Sequence, residues 1–374
     1  MLHRRLTWLA VALVFAGAAP ALAQPVPGEC HESVLPTGAR TKICVPVSGW
    51  NGQLLVFVGG YVPDVPGATL RFQDTLPGVG ELSTLAQGLG FAYATTSYRR
   101  NGLVILDGIQ DVRDLVALFE RTVGRPLRSY LAGGSEGGLV ATLTAERFPA
   151  LFTGAYATCG PVGSFRHEIT YLADFRVLFD HFFPGVFEGN ATVAAPDDIQ
   201  AWLTGTAQTL VAQRMLSEPA RALELMKVAR VPLDPGGFAG LIASAVRVLA
   251  YTVLGANDLS ETLGGSPYDN RLRWYSGSSN DLRLNLRIRR FTADPAALLA
   301  LQPYETTGAL QVPLVTLHTT HDDVVPFAQE VFYFLKARPS GRGRFLPLPV
   351  SRFGHCTFTA QEIVTGLGVL VLQP

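Results

Sequence analysis

The chain has 374 residues, 48% hydrophobic and 16% charged, with 30 Lys plus Arg against 30 Asp plus Glu. That apolar content is enough for a sizeable core, as one large α/β domain or a domain with an insertion, and it excludes a disordered chain. Balanced charge removes the electrostatic basis for nucleic acid or an anionic membrane as main partner, and points to a neutral or weakly charged substrate.

Met1 to Ala23 combines a basic start (His3, Arg4, Arg5), an apolar run from Leu6 through Ala19, and Ala21-Leu22-Ala23, which suits the A-x-A cleavage rule. This predicts a secretory signal cut before Gln24, because the run is shorter than the ~20 residues of a membrane span. The mature protein is then secreted or periplasmic, with no membrane anchor; the apolar Phe238 to Leu254 is interrupted by Ser244 and Arg247. In such a compartment four cysteines are expected to pair. Cys30 and Cys44 flank Pro36-Thr37-Gly38 and could close a hairpin, which leaves Cys159 with Cys356; all three connectivities stay open.

Thr41 to Val47 reads as a strand, separated by the turn Ser48 to Gly52 from a second at Gln53 to Val58, and the two are expected to form an antiparallel hairpin. A helical segment, Glu81 to Leu89, precedes a strand at Phe91 to Thr96. Ile109, Val112, Leu115, Val116, Phe119 and Val123 recur at helical spacing against Asp111, Arg113, Asp114 and Glu120, and Gly124 and Pro126 end that helix. Ser129 to Ala132 is the next strand and Gly138 opens a helix. Strands follow at Gly154 to Thr158 and Val312 to Leu317, then a helix at Phe327 to Lys336, a proline-weakened strand at Arg344 to Val350 and a closing helix at Ala360 to Leu372. Alternating strands and helices predict a mainly parallel sheet covered on both faces. Between Ser164 and about Thr307 strands nearly vanish, which predicts a helical cap over 165–307 inserted between core segments 24–164 and 308–374.

Gly133-Gly134-Ser135-Glu136-Gly137 fits G-x-S-x-G at the point where a buried strand passes into a helix. A serine hydroxyl needs a sharp turn to present it and a base to take its proton, and the glycines on either side permit that turn. Of the histidines after the signal (His31, His167, His181, His318, His321, His355), only His355 lies in a Gly-flanked segment after the last strand, on the same rim of the sheet as Ser135. The acid that fixes the tautomer of His355 is expected at the end of the preceding strand, where Leu317 to Pro326 supplies Asp322 and Asp323.

With these motifs the chain resembles the α/β-hydrolase superfamily: Ser135, Asp322 and His355 fall in its Ser, Asp, His order, and the D-x-V-V-P register selects Asp322, leaving Asp323 as alternative acid or as cap of the following helix. The resemblance implies an α/β-hydrolase fold and an oxyanion hole from the N–H of Glu136 and of Tyr61, with Gly60 as alternative. Val58-Gly59-Gly60-Tyr61 is similar to the superfamily's H-G-aromatic segment, with Gly59 in place of histidine. Cys356 beside His355 is similar to the cysteines of tannase-like and feruloyl esterases. The activity so implied is cleavage of small or polymeric carboxylic esters, with no cofactor and no metal. An amidase or peptidase on the same residues is the alternative, and a non-catalytic exported binding protein the third reading.

Phe165, Tyr171, Phe175, Phe179, Phe182, Phe183 and Phe187 crowd the start of the cap and read as core, with some facing the cleft to receive an apolar or aromatic acyl group. The late-cap arginines (Arg271, Arg273, Arg283, Arg287, Arg289, Arg290) read as a solvated face paired with Asp269 and Asp281. His318, His321, Asp322 and Asp323 have zinc-like spacing, a reading that leaves Ser135 and His355 without a role.

Overall fold

The computed structural model describes residues 24–76, 78–337 and 344–373, so the expected signal at 1–23 lies outside the described residues. Cys30–Val34 (β1) turns into Arg40–Cys44 (β2), antiparallel, with Cys30 opposite Cys44 and a disulfide between them. Gln53–Val58 (β3) follows, then a short hairpin of Thr75–Leu76 (β4) and Gly80–Glu81 (β5), helix Leu82–Gly88 (α1) and Ala92–Thr96 (β6). Helix Ile105–Thr122 (α2) leads to Arg128–Gly134 (β7), helix Glu136–Arg147 (α3) and Gly154–Thr158 (β8).

The expected hairpin between the second and third strands does not form. β2 pairs antiparallel with β6, while β3 lies parallel between β6 and β7. Leu54 to Val58 are all buried, and an uninterrupted apolar run of that kind suits a central strand covered on both faces better than a hairpin arm. The turn before it is drawn toward the neighbouring strand: the Asn51 N–H donates to Gly90 O at 2.9 Å.

Seven helices come next: Phe165–Phe182 (α4), Pro196–Leu203 (α5), Thr206–Ser217 (α6), Pro219–Ala229 (α7), Gly237–Leu263 (α8), Asp281–Arg287 (α9) and Pro295–Ala300 (α10). The chain then returns through Leu314–His321 (β9), Ala328–Ala337 (α11), Phe345–Phe353 (β10) and Ala360–Val371 (α12). The main sheet has eight strands in the order β1-β2-β6-β3-β7-β8-β9-β10, parallel from β6 to β10, which is the α/β-hydrolase fold. Pro347 and Pro349 are tolerated in β10 because it is an edge strand with neighbours on one side only.

α2 and α3 cover one face of the sheet through Ile105, Val112, Leu115, Phe119, Leu139 and Leu143. α1 and α12 cover the other through Leu82, Ala86, Leu367 and Leu370. The helices from α4 to α9 build a separate core around Phe175, Phe179, Val211, Leu225, Val248 and Leu249. α8, with 27 residues and a mean hydropathy of 1.7 in its most apolar window, is long and apolar enough to cross a membrane by length and composition alone. Here Leu241, Val248, Leu249 and Val253 are buried in that core and Arg247 is ion-paired.

Candidate active site

Ser135 sits between β7 and α3 at φ 54°, ψ −121°, a left-handed backbone that few non-glycine residues adopt and that turns the side chain out of the sheet edge. The turn is locked by the Ser135 N–H donating to Thr158 O and the Gly138 N–H donating to Ser135 O, each at 2.9 Å. Two residues to either side only glycine fits: a Cβ on Gly133 would lie 2.1 Å from Gly137 O, and one on Gly137 2.3 Å from Val58 O.

His355 follows β10. Its Nε2 is 2.9 Å from Ser135 Oγ and its Nδ1 2.8 Å from Asp322 Oδ2. Asp322, just after β9, is fully buried, and its Oδ1 accepts from the N–H groups of Val324 and Val325, both at 2.9 Å. Burial pushes its carboxyl up, yet the facing His355 and the hydrogen bonds from His318 and His355 hold it well below the usual carboxylate range. Asp323 turns the other way, with Oδ2 2.6 and 2.8 Å from the Arg247 guanidinium, so it is Asp322 that faces His355.

His318 lies beneath Asp322. Its Nδ1 is 3.0 Å from Glu330 Oε1, and its Nε2 is 3.0 Å from Val325 O and 3.4 Å from Asp322 Oδ2. Both nitrogens face acceptors, which only a doubly protonated ring satisfies. Burial works against the charge, but the hydrogen bonds and charges of Asp322 and Glu330 prevail and raise its pKa to about 10. Of the four residues with zinc-like spacing only His318 and Asp322 meet: His321 is exposed and bonded to the Thr320 hydroxyl, and Asp323 is on Arg247.

Two disulfides join Cys30 to Cys44 and Cys159 to Cys356. The second ties the His355 loop to the residue after β8, itself held by the Cys159 N–H donating to Leu317 O at 2.8 Å.

The loop after β3 approaches Ser135 closely: a Cβ on Gly60 would lie 3.1 Å from Ser135 Cβ and 3.6 Å from Oγ. With Gly59 in place of a histidine, the loop is anchored through its carbonyls. Tyr98 Oη donates to Gly59 O at 2.9 Å and Gln73 Nε2 donates to Gly60 O at 2.6 Å. Glu136 opens α3, so its N–H has no intrahelical acceptor. Neither Tyr98 nor Gln73 carries a sequence signal for this role; His318 has one, its i,i+4 spacing to Asp322.

A cavity of about 120 Å³ opens beside Ser135, lined by the start of α4, by α8 and by Tyr61. Of the α4 aromatics, Phe165 lines this cavity, while Phe175, Phe179, Phe182 and Phe183 are buried in the helical core. Three of the late arginines are engaged elsewhere. Arg271 pairs with Asp269 at 2.8 Å, Arg273 pairs with Asp174, and Arg290 donates to the carbonyls of Asn270 and Arg273. Among the described residues Asp281 takes no arginine: its Oδ1 accepts from the N–H groups of Gly277 and Ser278.

Fold and site together define an α/β-hydrolase architecture with a Ser-His-Asp hydrogen-bonded series. No family model and no curated protein matches the chain. Among solved structures it is similar to Pyrococcus horikoshii acylaminoacyl peptidase, with 12% identity, a TM-score of 0.43 and 89% of this chain matched to 38% of that one, so it spans under half of that peptidase. It is also similar to feruloyl esterase B from Aspergillus oryzae (14% identity, TM-score 0.47, 88% of this chain and 74% of that one). Candida antarctica lipase A in its closed state is a further match (14%, TM-score 0.46, 91% and 74%).

Proposed function

We propose that this protein is an exported serine hydrolase that cleaves carboxylic esters through an acyl-enzyme. The observation that carries this reading is the unbroken series Ser135 Oγ to His355 Nε2 at 2.9 Å and His355 Nδ1 to Asp322 Oδ2 at 2.8 Å. Asp322 holds His355 in the tautomer protonated at Nδ1, which leaves Nε2 free to take the Ser135 proton as Oγ attacks the carbonyl carbon. The N–H groups of Glu136 and Tyr61 stabilise the oxyanion, a contribution of about 3 to 4 kcal/mol per donor. His355 returns the proton to the leaving alcohol; it then takes one from water as the water oxygen attacks the acyl carbon, and passes it to Ser135 Oγ as the Oγ–acyl bond breaks and the acid is released. The apolar side chains beside Ser135, among them Leu103, Ile169 and Leu172, support an apolar or aromatic acyl group. The two disulfides support export to an oxidising compartment.

A fluorophosphonate probe is expected to label Ser135 in the folded protein and to leave Ser135→Ala unlabelled. No adduct on the wild type would sink the hydrolase reading in favour of a binding protein. Ester turnover is expected to exceed that of matched anilides by a wide margin; comparable rates would make the protein an amidase or peptidase on the same machinery.

A further inference from the structure

The cavity beside Ser135 is mostly apolar but holds buried acids without cations. Glu136 Oε1 accepts from the Val104 N–H at 3.0 Å, while Oε2 is buried with no hydrogen-bond partner. Glu168 Oε2 accepts from Gln329 Nε2 at 3.3 Å, while Oε1 is likewise buried without one. Both residues are more than nine-tenths buried, at 6% and 4% exposure. Tyr61 Oη, in the same lining, is a third buried polar atom without a partner. Asp258 also lines the cavity but is satisfied by the Leu103 N–H at 2.6 Å and Arg100 at 3.4 Å. Among the described residues that line it there is no lysine, arginine or histidine. The nearby cations are already committed, Arg100 to Asp107 and Asp258 and His318 to Glu330 and Asp322. Burial pushes the Glu136 carboxyl up to about 8 and that of Glu168 well above its ordinary value.

Burying carboxyl groups without a counter-charge is costly, and the groups left unmet in an apolar cavity specify what completes it. A carboxylate on the substrate would find no cation among the described lining residues to pair with. A neutral apolar substrate would leave Glu136 Oε2, Glu168 Oε1 and Tyr61 Oη unmet. A protonated amine supplies N–H donors to the acids, and the rings of Tyr61 and Tyr251, 6.0 Å apart, offer π faces to the same charge. We propose that this cavity takes a substrate with an apolar body and a protonated amine, the amine held between Glu136 and Glu168. The inference rests on the hydrolase reading only in taking Ser135 as the reacting group of the cavity.

Calorimetric binding to folded Ser135→Ala protein tests it without hydrolysis, with hexylammonium, 1-hexanol and hexanoate as probes at mildly alkaline pH. Hexylammonium is expected to bind at least about tenfold tighter than the other two, and Glu168→Gln or Glu136→Gln in the same background to remove most of that preference. Equal or tighter binding of hexanol or hexanoate, no binding of any probe, or a preference that survives both substitutions overturns the proposal. If a glutamine variant fails to fold, the three-probe comparison decides alone. Failure here with Ser135 still labelled by fluorophosphonate discards the amine and keeps the hydrolase. Loss of labelling with the amine preference intact does the reverse.

Discussion

Gly60 is where a single methyl group reaches the chemistry. Its Cβ would stand 3.1 Å from Ser135 Cβ, and relief requires the β3 loop or Ser135 to shift by a few tenths of an ångström. Gly60→Ala is therefore expected to lower kcat about ten- to a hundredfold, because oxyanion donors act only at the right distance, while Tm hardly moves. Ester kinetics and a thermal melt check both halves; an unchanged kcat would mean that the loop does not hold the oxyanion. His318 gives a prediction in pH. Its pKa is raised from 6.5 to about 10, so its stabilisation is complete below pH 6.5 and is lost as pH rises through about 10. In melts across that range, the stability gap between wild type and His318→Gln is expected to be widest at pH 6 and to close toward pH 10. A gap independent of pH would show that the ring is neutral.

At the scale of elements, the two disulfides have different tasks. Cys30–Cys44 closes the β1–β2 hairpin at the sheet edge, away from Ser135, whereas Cys159–Cys356 fastens the loop that carries His355 to the end of β8. Replacing either pair by alanine is expected to cost about 2 to 4 kcal/mol of stability in denaturant titrations. Only loss of Cys159–Cys356 is expected to lower kcat as well, because the imidazole then loses its register with Ser135; equal kcat in both variants would refute that positioning role. The strands themselves are largely legible. Gly154 to Thr158 is a strand with the bounds expected from the sequence, and the α2 periodicity at Val112, Leu115 and Phe119 marks the face that packs on the sheet. Strand partners are less legible: a turn between β2 and β3 reads as a hairpin, but β6, from later in the chain, enters between them.

Over the whole molecule, the helices between β8 and β9 are tied to the acid's loop at one buried point. Arg247 of α8 grips Asp323, and Tyr171 Oη of α4 donates to Asp323 O at 2.7 Å. Arg247→Ala leaves Asp323 buried without its cation. Because Arg247 is itself 41% exposed, the expected loss is moderate, about 1 to 2 kcal/mol, and denaturant titration measures it. KM is expected to rise more than kcat falls, since the cavity is built partly by α4 and α8 while Asp322 keeps its own backbone hydrogen bonds. The sequence by itself determined what depends on neighbours along the chain: the elbow at Ser135, the D-x-V-V-P register at Asp322, the glycine-flanked His355 and most helices. Turn chemistry and side-chain period act over a few residues and are written in them. Only the tertiary structure decided that β6 separates β2 from β3, that Tyr98 and Gln73 anchor the Gly59-Gly60 loop, that His318 underlies Asp322, and that Glu136 and Glu168 face one cavity. Those outcomes depend on which buried polar groups find partners across long separations, a competition settled by packing the whole chain at once.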